Sequence, residues 1–203
     1  MAPCRIGSTS RVYAQQVLCA RDSLPPNPRR VLVAGVSGVG KSTLASRIAA
    51  VTGGPHTEID SLYHGPGWAP REDFLQDVER FTSEDAWTTE WQYPSARALL
   101  ARRADLLVWL DLPFPVTFAR VVRRTLRRRF LREELWNGNV EPPLRTVFTD
   151  REHIVRWAIT TRKNYRTSIP QAERENPDLI IVRLRSQKDA EHWLDGPLVD
   201  ASH

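Results

Sequence analysis

The segment with the clearest chemical meaning is a glycine-rich loop at residues 35–43. It reads Gly35-Val-Ser-Gly-Val-Gly-Lys-Ser42 and fits the pattern G-x-x-x-x-G-K-[ST]. An apolar run precedes it and a helical pattern follows it, which is the context of a phosphate-binding loop (P-loop). Backbone N–H groups in such a loop point at phosphate oxygens, and the helix N-terminus adds positive potential. The residues that we predict to bind ATP are Gly35, Ser37, Gly38, Val39, Gly40, Lys41, Ser42 and Thr43.

Lys41 and Ser42 have separate predicted roles. Lys41 supplies a positive charge for the β- and γ-phosphates, and Ser42 Oγ is an oxygen ligand suited to Mg²⁺. Three acids close predicted strands, namely Asp60, Glu90 and Asp111. Ligands of open α/β sheets bind at these strand ends, so each acid is a candidate to accompany the metal. We assign Glu90 and Asp60 to the metal, and Asp60 is also a candidate on the acceptor side. Asp111 equally fits a structural role.

An arginine-rich segment runs from Arg120 to Arg132, where seven of thirteen residues are arginine. On a helix Arg120, Arg124 and Arg127 share one face. The first interpretation is a cationic lid at about residues 125–150, in which Arg120 and Arg124 stabilise the charge on a phosphoryl group in transfer. The second interpretation is a solvated basic face or a nucleic-acid-binding patch.

Strand and helix patterns alternate through the chain. The predicted strands are residues 31–34, 57–60, 86–90, 106–110 and 179–184. The predicted helices are residues 42–51, 71–82, 95–103, 115–131, 151–166 and 187–194. This alternation indicates an α/β fold with three α/β/α layers and a five-stranded parallel sheet. We expect an N-terminal extension at residues 1–29, partly flexible and proline-rich at its end, one domain at 30–195 and a loose tail at 196–203.

Composition narrows the class of protein. The 203 residues are 41% hydrophobic and 26% charged, which is typical of a globular domain, and no apolar run is long enough to cross a membrane. The net charge of +5 favours anionic partners. Cys4 and Cys19 form no disulfide framework or zinc motif, and the first thirty residues hold no signal-peptide pattern, so we expect a cytoplasmic protein.

The chain resembles the adenylate-kinase-like branch of P-loop proteins, and within it a small bacterial family described as DNA topology modulation proteins or AAA family ATPases. The resemblance covers about residues 30–195. Its segments are 35–43, 58–63, 66–68, 108–113, 120–125 and 135–139. It implies phosphate- or adenine-side roles for Arg120 and Arg124, and an acceptor-binding role for Asp60. Two departures stand out: Trp91 replaces the glycine of many relatives, and the Asp-Gly-x-Pro-Arg motif is absent, which disfavours AMP as the acceptor.

We therefore predict a kinase that transfers the γ-phosphoryl of ATP·Mg²⁺ to a small acceptor such as a nucleotide or nucleoside. A nucleotide-regulated nucleic-acid-binding ATPase and a toxin-like kinase stay open as alternatives. The sequence does not decide between ATP and GTP, nor does it give the oligomeric state. The aromatic residues near the expected acceptor pocket fit either stacking on a ring of the acceptor or core packing. These residues are Tyr63, Trp68, Trp91, Tyr93 and Trp136.

Overall fold

The computed structural model describes residues 17–131, 137 and 154–202. Its strands are β1 (Arg30–Gly35), β2 (His56–Thr57), β3 (Trp87–Glu90), β4 (Leu106–Leu110) and β5 (Ile180–Leu184). Its helices are α1 (Lys41–Thr52), α2 (Ile59–Tyr63), α3 (Phe74–Thr82), α4 (Pro94–Arg103), α5 (Phe114–Leu131), α6 (Ile154–Glu175), α7 (Gln187–Trp193) and α8 (Val199–Ser202). A short 3₁₀ turn spans Pro66–Trp68, and a π-helical turn spans Leu194–Leu198.

The five strands form one parallel sheet in the order β2-β3-β1-β4-β5. The predicted α/β fold with a five-stranded parallel sheet is therefore confirmed. In the register of the sheet, Val33 of β1 lies beside Glu90 of β3 and Val108 of β4. All five residues of β4 are buried, which explains why the central strands read as continuous apolar runs rather than as alternating ones.

The strand order distributes the helices over both faces. From β1 the chain crosses to β2 on one side, and from β3 it crosses to β4 on the other side. Because such crossovers are right-handed, α1 and α4 cover opposite faces of the sheet and make a three-layer α/β/α structure. The two connections diverge between β1 and β3, and this is the point at which open α/β sheets bind ligands.

Asp60 does not close a strand, contrary to the prediction for residues 57–60. Strand β2 ends at Thr57, and Asp60 lies in the first turn of α2. The helix begins here because the Ile59 N–H donates a hydrogen bond to Glu90 Oε2 at 3.1 Å, a contact between residues 31 positions apart. Helix α6 also differs from its prediction, since it continues to Glu175 and contains Pro170.

Both ends of the described chain pack on the domain. Leu18 forms a parallel bridge with Val182 of β5, and its N–H donates to Ile181 O at 2.8 Å. At the other end, Leu198 is fully buried and Ala201 is buried, so the segment after 195 that was expected to form a loose tail packs on the domain through these two residues. Residues 1–16, 132–136 and 138–153 lie outside the described residues, and with them most of the expected lid and Trp136. No helix among the described residues is long and apolar enough to cross a membrane.

The burial of Leu198 gives a direct test of the C-terminal packing. Replacing Leu198 by alanine removes a fully buried side chain and should lower the free energy of unfolding by about 2–5 kcal/mol. Chemical denaturation measures this value. The control is Asp200→Asn, which changes an exposed residue of the same segment and should cost less than about 0.5 kcal/mol. A Leu198→Ala protein as stable as the parent would contradict this packing.

Candidate active site

The glycine-rich loop connects β1 to α1 and packs against α5. Gly38 and Gly40 have φ values of +72° and +102°, in the left-handed region that favours glycine. A Cβ atom on Gly38 would overlap Val121 Cγ2 and lie 3.1 Å from Thr117 O. Only glycine therefore lets the loop approach α5 this closely. The curled backbone leads directly into α1, which begins at Lys41, so the loop lies at the N-terminus of a helix.

Lys41 is buried, although its side chain carries the charge expected to meet phosphate. It is 8% exposed, and its Nζ donates to Val36 O at 3.3 Å. Burial lowers the pKa of Lys41 to about 8, with help from the positive charges of Arg124 and Arg97, while Asp60 and Glu90 act in the opposite direction. A bound anion stabilises a buried ammonium group far more strongly than it stabilises an exposed ammonium group.

Glu90 lies at the end of β3 and is 2% exposed. Its Oε1 is 3.2 Å from His56 Nε2, its Oε2 accepts the Ile59 N–H, and Ser42 also hydrogen-bonds the carboxylate. Burial alone would raise the pKa of Glu90, but these three hydrogen bonds outweigh it and hold the pKa below its ordinary value. Glu90 therefore stays ionised next to Ser42.

Asp60 faces the same cavity from α2. Its Oδ1 accepts hydrogen bonds from Tyr93 Oη at 2.5 Å and Gln92 Nε2 at 2.9 Å. Tyr93 Oη is also 3.1 Å from His64 Nε2. Burial and the Asp60 charge raise the pKa of Tyr93, so its hydroxyl remains a donor. Tyr93 adopts a φ of +53°, and such strain in a non-glycine residue is common at functional sites.

The two predicted arginines extend from α5 toward the loop. Arg120 Nη1 donates to Val39 O at 3.1 Å, and its Nη2 donates to Gln187 Oε1 of α7 at 3.1 Å. Arg124 lines the cavity and lies close enough to Lys41 to influence its pKa. Arg123 and Arg127 are exposed on the same helix.

These residues surround a cavity of about 1000 Å³. Of the predicted site residues, those lining it are Gly35, Ser37, Gly38, Val39, Gly40, Lys41, Ser42, Thr43, Asp60, Arg120 and Arg124. Glu90 does not line the cavity; it is buried next to Ser42. Asp111 takes no part, because its carboxylate forms an ion pair with Arg183, whose guanidinium lies 4.5 Å from the Trp109 ring centroid. Asp111 therefore has a structural role.

Four residues at the site escaped sequence analysis: His56, Arg97, Tyr165 and Gln187. His56 begins β2, one residue before the strand predicted at 57–60, and belongs to none of the motifs that marked the site. Arg97 lies one turn into α4, directly after the segment that carries Glu90 and Tyr93, and that proximity was an available signal. Tyr165 and Gln187 reach the site from distant positions in the sequence.

The oxygen ligands present fit a magnesium ion that arrives with a nucleotide. Ser42 Oγ and the ionised Glu90 carboxylate lie together at the loop, and Asp60 lies across the cavity. Mg²⁺ in nucleotide sites takes one or two protein oxygen ligands and completes its shell with phosphate and water. Within residues 17–131, 137 and 154–202 no group of three or more His, Cys, Asp or Glu could hold a metal ion.

Comparisons with known proteins give fold-level likenesses. Neither a protein-family model nor a curated protein matches the chain. A gluconokinase from Sinorhizobium meliloti 1021 is 22% identical over 87% of this chain and 95% of its own, with a TM-score of 0.49. A shikimate kinase from Acinetobacter baumannii, in complex with shikimate, is 12% identical over 86% and 89%, with a TM-score of 0.47. A sugar kinase from Janibacter sp. HTCC2649 is 22% identical over 85% and 98%, with a TM-score of 0.43. At these similarities the fold assignment stands on the sheet order and the loop geometry of this chain.

The burial of Lys41 predicts a pH-dependent cost to stability. Below pH 8 the ammonium is charged in both the folded and unfolded states, and the difference between about 8 and the ordinary 10.5 corresponds to about 3 kcal/mol of destabilisation. Between pH 8 and 10.5 the folded-state lysine loses its proton and this cost disappears. Lys41→Met should therefore be more stable than the parent at pH 7, and the gap should close toward pH 10.5.

Unfolding by urea at a series of pH values measures the gap. Lys188→Met serves as the control because Lys188 is an exposed lysine on α7, and its effect should be small and independent of pH. A Lys41→Met protein that is less stable than the parent at pH 7, or a gap that does not change with pH, would contradict the burial of a charged Lys41.

Proposed function

We propose that this protein is a kinase that transfers the γ-phosphoryl group of ATP, bound with Mg²⁺, to a hydroxyl group of a small acceptor. The observation that carries the proposal is that Lys41, at the start of α1, and Asp60, in α2, line the same cavity. The first is a phosphate-binding cation in a P-loop, and the second is a hydrogen-bonded carboxylate suited to a hydroxyl. A kinase needs both groups at one site.

The donor side is formed by the loop, α5 and α7. The loop N–H groups and Lys41 bind the β- and γ-phosphates, and phosphate binding compensates the buried ammonium. Ser42 and Glu90 would hold Mg²⁺, which neutralises charge on the phosphates when bound. Arg120 is held by Val39 and Gln187 at the edge of the loop, and Arg124 adds positive charge where charge develops during transfer.

The acceptor side is formed by Asp60 and the residues that hold it. In the proposed step the acceptor oxygen forms a bond to the γ-phosphorus, the bond from that phosphorus to the bridging oxygen breaks, and ADP leaves. Asp60 orients the acceptor hydroxyl and receives its proton, which then passes to solvent. Tyr93 and Gln92 fix the Asp60 carboxylate through Oδ1, so its position does not depend on the acceptor.

The finer features of the sequence analysis remain part of the proposal. ATP is the proposed donor, a small molecule is the proposed acceptor, and a lid at about residues 125–150 is proposed to exclude water. The cytoplasmic location expected from the cysteine content also remains a prediction.

Replacement of Asp60 tests the acceptor side separately from the donor side. Asp60→Asn keeps the shape but loses the proton acceptor, so kcat should fall by about 10²- to 10⁴-fold. ATP affinity should change far less than kcat, because the Asp60 carboxylate forms its hydrogen bonds with Gln92 and Tyr93 rather than with the loop, and acts on Lys41 only through its charge. Phosphorus NMR with ATP·Mg²⁺ and a panel of hydroxyl compounds measures transfer, and titration calorimetry measures affinity.

Two further variants make the result interpretable. Lys41→Ala is the inactive blank and should show no new phosphoester signal. Asp178→Asn changes an exposed acid before the amino end of β5, outside the cavity lining, and should behave like the parent. Transfer by Lys41→Ala at the parental rate would contradict the kinase assignment, and an unaffected Asp60→Asn would remove Asp60 from the reaction.

A further inference from the structure

The guanidinium group of Arg97 is held between two aromatic rings. Its Cζ lies 5.0 Å from the centroid of the Trp91 ring and 4.8 Å from that of the Tyr165 ring. Both rings belong to residues that are 3% exposed. We call these three residues the Arg97 clamp. Paired cation–π contacts of this kind fix the plane of a guanidinium group without using its N–H donors.

Hydrogen bonds make the Arg97 clamp rigid. Trp91 Nε1 donates to Arg97 O at 3.1 Å, and Tyr165 Oη donates to Trp91 O at 3.1 Å. A preorganised arginine loses little side-chain entropy when it binds a ligand.

Arg97 differs from other arginines of the fold because no carboxylate among the described residues forms an ion pair with it. Other arginines of the fold pair with carboxylates, such as Arg30 with Asp105 at 2.5 Å and Arg71 with Asp77 at 2.9 Å. Across residues 17–131, 137 and 154–202, Arg97 forms no ion pair with an Asp or Glu, and its Nε is buried with no hydrogen-bond partner.. A buried N–H without a partner costs stability, and an anionic ligand would satisfy it.

The position of the Arg97 clamp points to the acceptor rather than to ATP. Arg97 and Tyr165 line the cavity together with Asp60 and Tyr93. Arg97 comes from α4, which begins at Pro94, next to the segment that holds Asp60 in place, whereas the donor phosphates have the loop, Lys41 and α5. Arg97 is thus a cation on the acceptor side of the cavity, separate from the groups that are proposed to bind the phosphates of ATP.

We propose that the acceptor is an anionic hydroxy compound whose carboxylate or phosphate group binds Arg97 while its hydroxyl group lies against Asp60. The planar guanidinium offers parallel N–H donors that match two oxygens of either anion. This inference rests on the proposed kinase function for the role of the hydroxyl, but the anion site itself does not depend on phosphoryl transfer.

Matched pairs of compounds that differ in the anion test the proposal. The carboxylate pair is gluconate and glucitol, and the phosphate pair is glucose 6-phosphate and glucose. Binding is measured by titration calorimetry with a non-hydrolysable ATP analogue and Mg²⁺ in the donor site. Transfer from ATP is measured for the same compounds by phosphorus NMR. The two pairs also reveal which anion the site takes.

Three variants complete the design. Arg97→Gln removes the charge, and Arg97→Lys keeps the charge but loses the planar fork. Arg102→Gln removes an exposed arginine of the same helix, outside the cavity, as the matched control. Thermal unfolding establishes that each variant is folded, and affinity for the ATP analogue establishes that its donor site is intact.

The expected result is a preference of at least about 10-fold for one anionic compound over its neutral partner. Arg97→Gln should weaken binding of that compound by about 100-fold and leave the neutral partner unchanged, while Arg97→Lys should lie between and Arg102→Gln should match the parent. The proposal would be overturned by a preference for the neutral compounds or by the absence of binding of any anionic compound. It would also be overturned if the preference for the anionic compound survived in Arg97→Gln, or if Arg97→Gln weakened both members of a pair equally.

Failure of the kinase function gives a different pattern. Anion binding that depends on Arg97 without any phosphoryl transfer would support the anion site and contradict the proposed function. Transfer to a neutral acceptor in preference to its anionic partner would support the kinase and overturn the anion site.

Discussion

The burial of the Lys41 ammonium in the P-loop is the constraint on which the site depends. The loop closes around Lys41 because Gly38 and Gly40 adopt left-handed backbone angles and because Gly38 has no Cβ to collide with α5. Burial takes the ammonium out of water and lowers its pKa to about 8. Burying the Lys41 ammonium therefore costs folding free energy, and a bound anion would remove that cost. This favours phosphate binding at the loop.

Glu90 connects the two halves of the cavity. One carboxylate at the end of β3 receives hydrogen bonds from Ser42 on the donor side, from His56 of β2, and from the Ile59 N–H that begins α2. The same contact that starts α2 places Asp60 in its first turn, where Tyr93 and Gln92 hold it. The relative positions of Ser42 and Asp60 thus follow from a small number of hydrogen bonds at the divergence point of the sheet.

The sequence predicts the parts of this protein that are encoded locally. Apolar runs mark the central strands, and the glycine pattern marks the P-loop, because each depends on neighbouring residues. The helical start at Ile59 depends instead on a carboxylate 31 positions away. The Asp111 ion pair and the Arg97 clamp join residues 72 and 68 positions apart, so no local pattern reveals them. The packed C-terminal segment was missed for a related reason, since α1, which is distant in sequence, packs against the turn that contains Leu198.

The most direct test of the account is the proton uptake that accompanies nucleotide binding. Titration calorimetry of ATP·Mg²⁺ at pH 8.5, in two buffers with different ionisation enthalpies, measures the number of protons bound. With a Lys41 pKa of about 8 in the free protein, phosphate should restore the ammonium and take up about 0.7 proton per nucleotide. The Lys41→Met protein should show none. Binding without proton uptake by the parent, or equal uptake by both proteins, would contradict the account.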